Sequence, residues 1–222
     1  MKFLLTLAAC CIGIGAVYAH ASRPAGQVHR KDRRSKISSG FAQKIHIDGL
    51  RNAAKVNDFL YRGSQPEEDG VTALKEIGVT LIVDLRKEHR GLANAERRRA
   101  EALGMRVVNI RASGWSPPKD EEIVQFFDVL QKRPRERVYV HCWLGDDRTG
   151  VFIAAYRMAF EKWPADKALD EIRYFRFKSF WHPAMISYVQ SFPERFETSP
   201  AFARFRNGVG AEQHKRDDRH LN

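Results

Sequence analysis

Ten residues in the second half of the chain constrain its fold more than any other stretch: His141-Cys142-Trp143-Leu144-Gly145-Asp146-Asp147-Arg148-Thr149-Gly150. A β-prone run, Val138-Tyr139-Val140, leads into them, and a segment apolar nearly all round follows (Val151, Phe152, Ile153, Met158, Phe160). A buried strand, a glycine-bearing loop and a buried helix in that order belong to an α/β layer fold. Such a loop can wrap so that successive backbone N–H groups point inward as a nest for an oxyanion. It opens into a helix N-terminus, whose partial positive charge holds anions and favours a thiolate. The planar fork of Arg148 can grip two phosphate oxygens at once, which a lysine cannot do. Cys142 is thereby placed as a nucleophile toward phosphorus. A lone cysteine reads as a small buried hydrophobe; the histidine, glycine, arginine, threonine and glycine in register with this one argue for chemistry instead.

The Cys-x5-Arg-Thr-Gly spacing resembles the signature of cysteine-dependent phosphatases. Rhodanese-type sulfur-transfer domains use a shorter Cys-x4-Arg loop, and low-molecular-weight tyrosine phosphatases carry the cysteine near the N-terminus with an Asp-Pro downstream. Here the cysteine lies late in the chain and no Asp-Pro follows it. The layout is similar to the dual-specificity branch of protein tyrosine phosphatases, above all the small bacterial periplasmic members and their atypical plant and fungal cousins. Phe59-Leu60-Tyr61-Arg62-Gly63-Ser64-Gln65-Pro66 resembles the Leu-Tyr-Arg-Ser-Gly-Gln-Pro signature of these domains, and Val79-Thr80-Leu81-Ile82-Val83-Asp84-Leu85-Arg86 resembles the strand that follows it. Ala154-Ala155-Tyr156-Arg157-Met158 matches their helix behind the loop. The likeness covers about residues 45–195. It implies a small, mostly parallel central sheet flanked by helices, a phosphocysteine mechanism and no cofactor.

Residue patterning agrees with that fold. Strands are expected at 60–62, 81–85, 107–110 and 138–141, alternating with helices at 67–77 and 92–103, each ended by a glycine (Gly78, Gly104). Residues 120–132 carry Ile123, Phe126, Phe127 and Leu130 at i, i+3, i+4 and i+7, one apolar face for the sheet. The helix behind the loop starts at Thr149, and two more follow with Pro164 and Pro183 near their first turns. Tyr174, Phe175, Phe177, Phe180 and Trp181 either fill the core or cover the site, where they can offer a stacking platform to a substrate ring.

At 222 residues the chain supports one domain, expected over 45–200. Residues 1–21 read as a secretory signal: Lys2, an apolar run, then Val17-Tyr18-Ala19 and Ala19-His20-Ala21 as small-x-small cleavage sites. The run also approaches membrane-spanning length, and Leu7-Ala8-Ala9-Cys10 resembles an acylation box, so membrane contact is expected only if this segment is retained or acylated. Residues 22–44 read as a basic linker and 201–222 as a charged tail. Cleavage removes Cys10 and Cys11, leaving Cys142 with no partner for an internal disulfide. That suits a catalytic thiol in an oxidising, exported (periplasmic) location. The net charge of +11 favours anionic partners, a phosphorylated protein or another phosphoester. Nucleic acid is disfavoured, because the charge does not alternate with exposed aromatics.

The proton donor is the least determined part. Dual-specificity enzymes resembled here carry an aspartate about thirty residues before the cysteine, where this chain has Val107-Val108-Asn109-Ile110-Arg111. Asp120, after Trp115-Ser116-Pro117-Pro118-Lys119, is the expected acid, with Glu121 and Glu122 as substitutes; an aspartate at a helix start is also a cap or dipole partner. Asp147 competes, since a carboxylate beside a bound phosphate dianion has its pKa raised by like charge. Residues Trp143, Leu144, Gly145, Asp146, Asp147, Arg148 and Thr149 are expected to bind the phosphoryl group, with Asp146 facing solvent. His141 is expected to hydrogen-bond within the loop, and Thr149 to donate its hydroxyl to the sulfur. No metal-ligand spacing is evident. Protein phosphotyrosine is the first substrate class, a lipid or inositol polyphosphate the second. A phosphate-binding pseudophosphatase is the reading outside enzymes.

Overall fold

The structure, a computed structural model, describes residues 40–132 and 136–206. The segment expected as a signal, residues 22–39 of the linker and residues 207–222 of the tail lie outside these. Six strands form one sheet: β1 Gln43–Lys44, β2 Ala54–Lys55, β3 Leu60–Gly63, β4 Leu81–Arg86, β5 Arg106–Ala112 and β6 Val138–His141. Their spatial order is β1-β2-β3-β6-β4-β5. The four long strands β3, β6, β4 and β5 pair in parallel, and β1 and β2 add an antiparallel edge. The expected α/β fold with a mostly parallel sheet is thus found.

Burial explains the arrangement. β3, β4 and β6 are buried along their whole length, as strands in a sheet covered on both faces must be, and they carry Arg62, Asp84, Arg86 and His141 into that buried layer. The helices are α1 Glu68–Glu76, α2 Arg90–Ala102, α3 Asp120–Gln131, α4 Asp147–Phe160, α5 Ala165–Tyr174 and α6 Pro183–Thr198. One face of the sheet packs Ile82 and Tyr139 with Val71 and Leu74 of α1 and Ala100 of α2. The other packs Val83 and Val140 with Phe126 and Phe127 of α3, Phe152 of α4 and Phe192 of α6. Helix α4 is buried from Arg148 to Ala159, as its apolar surround requires.

Two boundaries move. Ala42 is buried and its N–H donates to Glu171 Oε1 at 2.7 Å, so the packed body begins before residue 45. At the other end Phe202 and Phe205 are fully buried against Phe127, so these two residues of the segment read as a charged tail pack into the core, while Ala203 and Arg204 stay exposed.

β6 lies at the centre of the parallel strands, with Gly63 of β3 and Asp84 of β4 opposite its last residue, His141. The chain therefore leaves β6 at the carboxyl ends of its neighbours, the place where open α/β sheets bind ligands.

Candidate active site

The loop from Cys142 to the start of α4 is fixed from behind. Gly145 has φ +74°, and a Cβ there would stand 2.3 Å from the backbone carbon of Gly63, so only glycine fits. Its carbonyl accepts from Arg62 Nη2 at 2.7 Å and from Asn52 Nδ2 at 3.1 Å. The Trp143 carbonyl accepts from the Gln65 N–H at 3.1 Å. With these carbonyls turned outward, the N–H groups are left for a ligand: among the described residues, none of the backbone N–H groups of Trp143, Leu144, Gly145 and Asp146 makes a hydrogen bond. Asp146, expected to face solvent, is instead buried and caps α4, its Oδ1 accepting from the Asp147 N–H at 2.9 Å. Cys142 lies at the base of the loop, 2% exposed, while Trp143 and Leu144 form its exposed crest.

Two buried basic side chains back this loop. Arg62 is fully buried, and burial drops its pKa to about 10, where it remains charged at neutral pH. Its guanidinium lies 4.0 Å from the Phe175 ring, and its Nε and Nη1 have no hydrogen-bond partner among the described residues. His141 sits between two acceptors, with Nδ1 2.9 Å from the Cys142 carbonyl and Nε2 2.9 Å from Glu96. Burial disfavours its charged form, but the charge and hydrogen bond of Glu96 outweigh that and raise its pKa. Glu96 is fixed in turn by Arg86 at 2.7 Å, and Arg86 by Asp84 at 2.7 Å. Negative charge held in the loop is thus faced from behind by the Arg62 guanidinium, with the His141 ring hydrogen-bonded beside it. His141 does hydrogen-bond to the loop, as expected. The Thr149 hydroxyl is buried with no hydrogen-bond partner among the described residues.

In front of the loop is an open cleft of about 660 Å³. Arg148, Asp147 and Trp143 contribute to it, together with Trp115, Trp181 and His182. Glu88, two residues past the conspicuous Asp84-Leu85-Arg86, holds Arg148 in a two-point pair at 2.6 and 3.0 Å. That pair aims the guanidinium. Burial works to raise the Glu88 pKa, but the hydrogen bond and charge of Arg148 prevail and lower it, so Glu88 stays ionised. Asp147 behaves in the opposite way. Burial, reinforced by the charge of Asp146, raises its pKa, against the Lys178 N–H (3.2 Å) and His182, whose Nε2 lies 3.3 Å away. Two carboxylates line the cleft and their environments push them apart, one kept as anion, the other biased toward its acid form.

Asp120 is not brought into this cleft. Its carboxylate accepts from Ser199 Oγ at 2.9 Å and lies 3.4 Å from both Tyr188 Oη and Arg195 Nη1. Tyr188 is six residues on from His182, the N-cap of α6 that lines the cleft, or about 9 Å at the helical rise. Asp120 thus ties the start of α3 to α6, and Glu122 accepts from the Lys119 N–H at 3.0 Å as a cap. Asp120 does not line the cleft; the loop before it contributes Gly114 and Trp115. The aromatic run after α5 divides: Phe175 and Phe177 are core, whereas Tyr174, Phe180 and Trp181 are exposed, and of these Trp181 lines the cleft.

Residues 43–180, more than half of the chain, match the family described as a DSP-PTPase phosphatase fused to NAD+ kinase. The chain belongs to this family of cysteine-based dual-specificity phosphatases. It is similar to the dual specificity protein phosphatase TpbA of Pseudomonas aeruginosa, 28% identical over 149 residues, which are 67% of this chain and 64% of that protein. The chain therefore spans slightly less than two thirds of this relative. The crystal structure of P. aeruginosa TpbA superposes with a TM-score of 0.60 at 22% identity, covering 72% of this chain and 99% of that one. The core catalytic domain of the PP-IP phosphatase Siw14 from S. cerevisiae superposes with a TM-score of 0.59 at 18% identity, covering 71% and 98%. At these identities the superpositions establish a shared fold.

Proposed function

We propose that this protein hydrolyses phosphate monoesters through a phosphocysteine intermediate, with phosphotyrosine in protein as its substrate. The observation that carries the substrate class is the wall of the cleft: Trp115, Trp143 and Trp181 line the same opening as Arg148. An aryl ring can stack there while its phosphate enters the loop. A cysteine-to-serine variant of TpbA, a fold relative, has been crystallised in complex with phosphotyrosine. A lipid phosphate or an inositol polyphosphate is the second reading, favoured by Lys87 and Lys178 at the same cleft. Ranking kcat/KM for a phosphotyrosyl peptide, an inositol polyphosphate and micellar phosphatidate decides between them; a higher value for either of the last two overturns the first reading.

In the proposed mechanism the Cys142 thiolate attacks phosphorus, the ester P–O bond breaks, and the phosphoryl group passes to sulfur. Loop N–H groups and Arg148 bind its equatorial oxygens. Asp147 gives its proton to the leaving oxygen, then as carboxylate takes a proton from the water that cleaves the P–S bond, which restores thiolate and acid. A bound phosphate dianion reinforces the bias of Asp147 toward its protonated form.

The acid must be protonated, so the rate falls as pH rises through the raised Asp147 pKa. Asp147→Asn is expected to slow phosphotyrosine hydrolysis by roughly 10²–10⁴-fold, to spare esters with very acidic leaving groups, and to flatten the basic limb of the pH profile. Asp120→Asn is expected to keep both the leaving-group dependence and that limb, because its partners are Ser199, Tyr188 and Arg195. If the leaving-group-dependent loss appears in Asp120→Asn and not in Asp147→Asn, the assignment reverses.

Export to the periplasm is proposed as well, from the Lys2–apolar–small-residue pattern of residues 1–21. Intact-mass measurement is expected to place the mature start near His20 or Ser22. A full-length cytoplasmic species, or a mass gain of acyl chains on Cys10, contradicts this.

A further inference from the structure

Beside the catalytic cleft, sharing Lys87 and Glu88 as a common wall, lies a smaller pocket of about 190 Å³. It is lined on its other sides by Arg90 and Asn94 of α2, Arg97, Arg111 of β5 and Arg86. Its two carboxylates are already matched: Asp84 by Arg86 and Glu88 by Arg148. Arg97 pairs with Glu101 at 3.6 Å. Lys87, Arg90 and Arg111 have no ion pair among the described residues, so the pocket holds uncompensated positive charge. A second feature adds to it. Helix α2 begins at Arg90 with no side-chain cap and no acidic residue in its first turn, and Arg90, Ala93 and Asn94 turn that N-terminus toward the pocket. Unpaired N–H groups and the positive end of a 13-residue helix thus face the same space as three free cations. His89, which lines the larger cleft just before α2, holds the left-handed conformation (φ 55°), and its ring lies 4.9 Å from that of Trp143 in a tilted contact. Strain of that kind persists only where the surroundings fix it.

We infer that this pocket is a second anion site, which takes a further phosphate group carried by the substrate whose scissile phosphate lies in the Cys142 loop. The inference rests on the phosphatase reading and narrows it: the preferred substrate carries two phosphates that straddle the Lys87–Glu88 wall. The pocket is smaller than the roughly 300 Å³ at which drug-sized ligand sites begin, and so suits a phosphate rather than a ring. A doubly phosphorylated peptide and a small bisphosphate share this chemistry.

The test is the Arg90→Gln, Arg111→Gln double variant of the full chain, two exposed positions outside the catalytic machinery. For an aryl phosphate with one phosphate, kcat and KM are expected to match wild type. For the substrate with two phosphates, KM is expected to rise about tenfold with kcat unchanged, the loss of charge-assisted bonds at a partly exposed site. Arg90→Lys, Arg111→Lys is expected to restore most of it. Measuring a doubly phosphorylated peptide and a sugar bisphosphate side by side identifies the source, as the one whose KM responds. Equal KM for both against the double variant, or an equal loss on the aryl phosphate, overturns the inference. Equilibrium titration with inorganic phosphate gives a readout free of turnover: two sites are expected in wild type and one in the double variant, and a single site in wild type overturns the second pocket. An inactive wild type that still binds two phosphates would sink the phosphatase reading alone.

Discussion

Cys142→Ser is expected to lower aryl phosphate turnover by roughly 10⁴–10⁶-fold, the scale of losing a nucleophile that acts in concert with its surroundings. Phosphotyrosine is expected to bind the variant still. The substitution removes the sulfur and nothing that shapes the nest: the Gly145 turn, its Arg62 and Asn52 bonds, and the Asp146 cap all stay. A serine hydroxyl is a poor nucleophile without a base, and His141 cannot be that base, because both its ring nitrogens are engaged by Glu96 and the Cys142 carbonyl. Steady-state kinetics together with equilibrium binding separates the two effects. Retained turnover contradicts covalent catalysis at Cys142, and lost binding contradicts the claim that the nest and Arg148 hold the phosphate.

Arg148→Lys is expected to cost about 10²–10³-fold in kcat, with a smaller change in KM, since the fork is matched to the transferring phosphoryl group rather than to the ground state. The Glu88 pair sharpens the expectation. It occupies Nη1 and Nη2 at 3.0 and 2.6 Å and so sets the orientation of the fork. An ammonium group cannot satisfy Glu88 at two points and present a planar edge to the substrate as well. Wild-type turnover in Arg148→Lys contradicts the loop geometry.

What the sequence makes legible is local. The β6–loop–α4 unit is contiguous in the chain, so the spacing from Cys142 to Arg148 and the apolar surround of α4 specify both geometry and burial. The parallel strands and helices α1 to α3 carry their own periodicity. β1 and β2, two residues each, have no pattern to read. Phe202 and Phe205 lie among charged residues, and only their contacts with Phe127 assign them to the core. The site residues missed by sequence, Arg62, Glu88, Glu96, Lys178 and His182, come from distant segments. A charged residue inside a strand as apolar as β3 was the available signal for Arg62. Asp120 illustrates the reverse: its place at a helix start after a Pro-rich loop is visible, but the direction of its side chain depends on Ser199 and Tyr188, some seventy to eighty residues away.

The most direct measurement of the central claim is acid quench of the protein during turnover of an aryl phosphate, followed by peptide mass analysis. One phosphoryl group is expected on the peptide containing Cys142, appearing at the rate of phenol release and absent from Cys142→Ser. Phosphate release with no phosphoryl group ever trapped on Cys142, in a protein that turns the substrate over, contradicts the mechanism.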